Sequence, residues 1–182
     1  MKKIILSLIL FFLSINNLFA NDRIKKLDKL FDELKINSSN SSFLIEQKIW
    51  KIWSTHPIDT ELTSMLTEGS DFVNDNQLTK AIEIFTKVIE LDPNWPEAWN
   101  KRATVYYMIG EFEKSQKDID EVLKLEKRHF GALAGQGLVN IELKNYEKAI
   151  KSYENAMEIY PTMNSPKIMI KLLKELIKKQ SI

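Results

Sequence analysis

The chain contains no cysteine, which excludes a disulfide framework, a cysteine-held zinc, a thiol nucleophile and a cysteine-linked lipid anchor. Its five glycines in 182 residues leave little material for phosphate-cradling loops or for an all-β fold with many tight turns. An excess of one charge is missing too. Its 26 basic and 25 acidic residues give a net charge of +1, without the basic stripe of a nucleic-acid binder. No apolar run reaches the ~20 residues that a membrane-spanning helix needs. What is present is 44% apolar and 28% charged, a globular balance with enough length for one domain and its core.

Residues 1–20 read as an address. Lys2 and Lys3 open the chain, residues 4–13 are apolar apart from Ser7, and Leu18-Phe19-Ala20 precede Asn21. A basic start, an apolar run of about ten residues and a small residue at the cut describe a secretory signal peptide, cleaved after Ala20. An uncleaved N-terminal anchor is the alternative, and the one route by which this reading brings the chain to a membrane. Without residues 1–20 the count is 24 basic to 25 acidic, which offers nothing for anionic lipid or nucleic acid. The expected location is the bacterial periplasm, where a cysteine-free chain escapes oxidation.

A 34-residue period organises the rest. That step aligns small Gly69, Ala103 and Gly137, and small Ala81, Ser115 and Ala149. It also aligns Phe85, Ile119 and Tyr153; Val88, Val122 and Ala156; Met65, Trp99 and Leu133; and Pro93, Lys127 and Pro161. Within each period two helices are expected. Ala81, Ile82, Ile84, Phe85, Val88, Ile89 and Leu91 recur at three- and four-residue steps, one buried stripe. Asp92-Pro93-Asn94 stops that helix. The hairpin turns are expected at residues 74–77, 109–111 and 143–145, with glycine or asparagine supplying a left-handed cap. The small columns imply close helix crossings, with Gly69, Ala103 and Gly137 facing alanine-sized partners and Phe72 and Tyr106 beside them.

These residues resemble the tetratricopeptide repeat (TPR), whose pattern is an aromatic, a leucine and glycine, a tyrosine, then alanine, phenylalanine and proline. Residues 62–95, 96–129 and 130–163 match in register as three copies. Glu68, Arg102 and Gln136 stand where leucine is usual, Asn140 replaces the tyrosine and Lys127 the proline. The run from Trp99 to Ala103 and the stretch from Arg128 to Leu133 also resemble short exported bacterial TPR proteins of unassigned activity. Residues 21–61 read as an N-terminal helical hairpin, a degenerate repeat or cap, with helices at 22–36 and 43–55 around a polar linker. Residues 164–182 read as a C-terminal capping helix that turns Ile168, Leu172, Leu173, Leu176 and Ile177 inward. The expected architecture is an all-α, right-handed α-solenoid of about nine helices.

Chemistry is sparse. His56 and His129 lie 73 residues apart with no carboxylate at metal-ligand spacing, and read as helix-end residues. Ser38 to Ser42 form a linker without a nucleophile elbow. Gly131, Gly135 and Gly137 lie inside a repeat helix with no preceding strand. Asp118 with Asp120, and Glu111 with Glu113, read as solvated acidic pairs. No catalytic residue, metal site, cofactor or small-molecule substrate is expected, and the chain reads as no enzyme.

The resemblance implies that the first helix of each hairpin lines a concave surface that holds a partner's peptide. The implied partner-binding residues are Leu66, Ser70, Val73, Asn100, Lys101, Thr104, Tyr107, Leu138 and Ile141. Leu138 and Ile141 have packing under the C-terminal helix as their alternative. Some relatives hold a C-terminal carboxylate with a polar clamp. Leu66, Ser70, Gly131 and Gly135 stand at several of its positions here, so no such clamp is expected, and the groove suits an apolar or extended segment. The implied function is a protein-interaction scaffold in the bacterial envelope, with a protein or peptide partner and no nucleic acid. The alternative is a structural subunit of an envelope complex or homo-oligomer with no peptide-binding groove function, which an exposed Trp50, Trp53 or Trp95 at the contact would favour. A peptidoglycan or enzyme-accessory role is a third reading.

Overall fold

The computed structural model describes residues 22–36 and 39–180; the signal-peptide reading of residues 1–20 falls outside them. Among the described residues there are nine helices and no strand. They are α1 (22–36), α2 (Ser39–Trp53), α3 (Thr60–Asn74), α4 (Leu78–Leu91), α5 (Pro96–Met108), α6 (Phe112–Leu125), α7 (Phe130–Glu142), α8 (Tyr146–Ile159) and α9 (Asn164–Gln180). The helix of the second half of the expected linker thus begins at Ser39. The chain is an all-α solenoid in which α3–α4, α5–α6 and α7–α8 are hairpins of one design.

The turns within the hairpins show how literal the repetition is. Asn76, Gly110 and Lys144, each 34 residues apart, take positive φ of 57°, 78° and 58°. In each, the next amide bonds back five residues: Gln77 to Phe72 at 2.8 Å, Glu111 to Tyr106 at 2.9 Å, Asn145 to Asn140 at 2.7 Å. This is the Schellman closure of a helix end. In the third copy the left-handed residue is Lys144, not the asparagine that composition favours, because the closure fixes the position regardless of the residue there. The turns between hairpins repeat as well: the amides of Trp95, His129 and Met163 bond to the carbonyls of Asp92, Glu126 and Tyr160 at 3.3, 3.1 and 3.1 Å. Lys127 in place of proline leaves that turn unchanged.

The small column is matched to size across the crossing. A Cβ on Gly69 would stand 2.4 Å from the Phe85 ring, and one on Gly137 would stand 2.5 Å from the Tyr153 ring. The middle copy, with the smaller Ile119 in that column, has room for Ala103. The partners of the glycines are therefore large rings, which correct the expected alanine-sized neighbours. Ser115 keeps its place in the other small column by donating to the Ala103 carbonyl at 2.8 Å.

Arg102 explains its own departure from leucine. It donates to both Asp118 oxygens at 2.8 Å and to Thr86 Oγ1 at 3.0 Å, so one guanidinium ties α4, α5 and α6 together. Its plane lies over the Trp99 and Tyr106 rings at 5.1 and 5.7 Å. Asp118 is accordingly buried, which corrects the reading of a solvated Asp118–Asp120 pair.

The N-terminal hairpin leaves the period. Its apolar cluster of Leu27, Leu30, Phe31, Leu34, Ile45, Ile49 and Trp53 is completed by Phe130 and Tyr160, from the third copy. It lies along the turns between the hairpins. Trp95 Nε1 donates to the Trp53 carbonyl at 2.8 Å, Arg128 reaches Asp28 at 2.6 Å, and the Tyr160 hydroxyl donates to Glu46 at 3.1 Å. Trp53 and Trp95 are buried and Trp50 half-buried, so none of the three stands fully exposed as the contact that would favour the structural-subunit reading. At the other end α9 stacks in register on α8. Leu173 is buried there, with Met169 and Ile170 packed beside it. Ile168, Leu172 and Leu176 point outward instead, 58%, 52% and 37% exposed. That corrects three of the five residues expected to face inward.

Candidate partner-binding groove

The first helices of the hairpins, α3, α5 and α7, line the concave side. Between α5 and α7 lies a trough of about 80 Å³ bounded by Asn100, Thr104 and Tyr107 on one wall and Leu138 on the other, with Gly131 and Gly135 along α7. Four of the nine sequence-derived residues therefore meet: Asn100, Thr104, Tyr107 and Leu138. Thr104 and Leu138 are exposed. Thr104 Oγ1 is committed to the Asn100 carbonyl at 2.9 Å, so its methyl group is the part presented. Tyr107 donates weakly to Glu142 at 3.4 Å. Burial, with Glu142 second, holds its hydroxyl above the ordinary tyrosine pKa, leaving a neutral group with both an apolar ring and a polar tip.

The other five sit differently. Leu66 is 2% exposed, in a cluster with Leu62, Trp95, Ala98 and Val105, and is corrected from a groove residue to a core residue. Ser70 turns its hydroxyl back to the Leu66 carbonyl at 2.9 Å. Val73 packs against the α3–α4 core. Lys101 stands beside the trough with Nζ 3.6 Å from Glu97 Oε1. Ile141 packs against the cluster that Leu173 of α9 forms with Ala149 and Tyr153, so its C-terminal packing holds, while Leu138 remains at the surface.

Gly131, on the wall of the trough, meets a side chain with no counterpart in the repeat. A Cβ on Gly131 would come within 2.5 Å of the Trp50 ring; glycine there is what lets α2 approach. Behind Trp50 the rings continue. Trp53 stacks on His129 with centroids 4.0 Å apart and planes 10° apart, and Trp50 meets both edge-on. His129 Nδ1 accepts the Ala132 amide at 3.0 Å, so the ring proton is on Nε2, which donates to Glu97 Oε2 at 3.1 Å. Both residues are fully buried. His56 is held the same way, Nδ1 accepting the Asp59 amide and Nε2 reaching Asp92 at 2.8 Å. Each histidine therefore does have a carboxylate, brought from 32 and 36 residues away by the fold. Among the described residues no group of three or more potential ligands could hold a metal.

Sequence reasoning missed the Trp50–Gly131 contact and the buried Glu97–His129 pair. The one local signal was Gly131 at a groove position. It was legible as a missing polar group, not as room for an indole.

Three models of the tetratricopeptide repeat match, at residues 72–94, 84–117 and 130–163. A TPR repeat-containing protein of Rhizobium etli is 29% identical over 153 residues, 83% of this chain and 74% of that protein. Human RNA polymerase II-associated protein 3 is 25% identical over 136 residues, 74% of this chain, but the chain spans only 20% of its length. Among solved structures, the first TPR of Spaghetti (RPAP3) bound to an HSP90 peptide superposes with a TM-score of 0.64 at 20% identity, covering 65% of this chain and 94% of that one. With the 34-residue period, its matched turns and its size-matched small column, these similarities place the chain in the tetratricopeptide-repeat family.

Proposed function

We propose that the protein is a non-catalytic interaction scaffold that holds a segment of a partner protein in the trough between α5 and α7, in the bacterial envelope. The observation that carries this reading is the trough itself. Thr104 and Leu138 stand exposed on facing helices, Tyr107 offers ring and hydroxyl, and Gly135 keeps a side chain out of the space between. Stiff stacked helices present such a surface without ordering cost at binding. The related Spaghetti domain was solved with the HSP90 peptide SRMEEVD, which supports peptide binding as the mode. The occupant here differs in kind. Leu66 is buried, Gly131 is covered by Trp50 and Gly135 has no side chain, so the groove lacks the polar groups to hold a terminal carboxylate.

Export rests on the sequence of residues 1–20, and its test is N-terminal sequencing of the protein recovered from the periplasmic fraction, expected to begin at Asn21. The scaffold reading is tested by affinity capture from that fraction with the chain and with the Tyr107→Ala, Lys101→Ala variant. A partner retained by the chain and lost by the variant supports it. No partner, or one held equally by both, contradicts it.

A further inference from the structure

The outward apolar column on α9 continues the groove. Ile168 and Leu172 stand one 34-residue step beyond Ala134 and Leu138, and two steps beyond Asn100 and Thr104. Along the concave side the surface therefore passes from polar on α5 to apolar on α9. The positions one step beyond Leu133, Gly137 and Asn140 are treated in the opposite way. In α7 these meet the second helix of the hairpin, as Gly137 meets Tyr153. In α9 they are Lys167, Lys171 and Lys174, all exposed. Charge thus covers the side of α9 where a hairpin partner would pack, while three large apolar residues stay uncovered on the groove side. Exposed Ile168, Leu172 and Leu176 are spaced four apart along one helix face, spanning about 12 Å. An apolar stripe of that length is what a docked amphipathic helix covers.

We infer that the α7–α9 part of the groove takes an amphipathic helix of a partner protein, apolar at i, i+4 and i+7 and acidic along the edge that faces Lys171. This rests on the scaffold reading above and names the chemistry of its partner. Exposed Lys167, Lys171 and Lys178 outnumber Glu175 along that edge, and this net positive charge decides among occupants. A second copy docked through α9 would bring lysine edges together, and the chain's own N-terminal segment opens with Lys2 and Lys3; an acidic edge is complemented. A bilayer surface is disfavoured by shape, since Leu172 shares its concave face with Leu138 and a flat surface cannot reach both.

The test uses the full described chain, extended to Asn21, and three probes: a fluorescent helix of about 18 residues built from leucine at those spacings and glutamate, the same helix with lysine for glutamate, and anionic phospholipid vesicles. The glutamate helix is expected to bind at least about tenfold more tightly than the lysine helix. Leu172→Ser is expected to weaken it about tenfold, and Lys171→Glu to shrink the preference between the helices. Circular dichroism checks that both variants keep the fold. Equal binding of the two helices, indifference to Leu172→Ser, or preferential binding of vesicles overturns the inference. So does self-association that Leu172→Ser abolishes. Photolabelling at Tyr107 separates the two levels. A partner captured there in unchanged yield by Leu172→Ser contradicts the α9 inference and leaves the scaffold standing, whereas no capture at Tyr107 contradicts the scaffold itself.

Discussion

The two ends of the molecule treat the repeat in opposite ways. At the N-terminal end α1 and α2 abandon the 34-residue period and lie along the turns between hairpins, joined to them through Trp53, Trp95, Arg128 and Tyr160. At the C-terminal end α9 keeps the period and stacks on α8 as one more layer. The first arrangement packs a ring, Trp50, against Gly131 of α7. The second prolongs the groove, with Leu172 beyond Leu138. Closing a solenoid edge and extending its face are thus separate tasks, done by ring mass out of register and by a helix in register.

The largest expected effect lies at the N-terminal end. Trp53→Ala removes a fully buried indole that stacks on His129, and should cost about 3–5 kcal/mol in urea denaturation. Leu172→Ser at the C-terminal end should stay within about 0.5 kcal/mol; equal losses would break the comparison. Between the ends, Asp118→Ala leaves the Arg102 charge without its carboxylate and should cost about 3 kcal/mol. Adding Arg102→Leu, the residue usual at this position of the repeat, should recover most of that loss.

A finer contrast lies within one helix. Gly131→Ala must displace Trp50 and should cost about 1–3 kcal/mol, read as a lowered denaturation midpoint. At Gly135 a Cβ would meet only Ile119 Cδ1, at 3.7 Å, so Gly135→Ala should gain up to about 1 kcal/mol from helix propensity.

Tyr153, beside the C-terminal layer, gives a pH test. Burial raises its hydroxyl from 10.0 to about 12. Between these values the unfolded chain has lost the proton and the folded chain keeps it, so stability falls as pH rises from 10.0 to about 12. Tyr153→Phe should remove that part of the alkaline slope. At neutral pH it should leave the midpoint unchanged or slightly higher, because the buried hydroxyl has no hydrogen-bond partner. A gain is expected at Lys144, whose φ of 58° strains a residue with a Cβ. Lys144→Gly should stabilise by about 1 kcal/mol, measured against Asn76→Gly as a reference turn.

The hairpins were legible because they are local: a 3.6-residue stripe, a stop at Asp92-Pro93 and a step of 34 need only neighbouring residues. Arg102 was visible as a departure from leucine, but its carboxylate was not. Asp118 and Asp120 lie two apart in a helix and point to nearly opposite sides, so only the crossing of α5 on α6 selects Asp118. The packing of the N-terminal hairpin was hidden for the same reason at longer range. Trp50 and Trp53 meet His129 and Phe130 across more than seventy residues of sequence, with no period to align them. On α9 the residues Ile168, Leu172, Leu173, Leu176 and Ile177 cover too wide an arc for one face. Packing on α8 takes Leu173 and half-buries Ile177, which leaves the remaining three to the groove side.

Photocrosslinking in the native envelope tests the central claim most directly, with a photoreactive residue at Tyr107 and a control at exposed Lys151. The account predicts one partner protein captured from Tyr107 and absent from Lys151. Capture of the chain by itself, or equal yields at both positions, would contradict it.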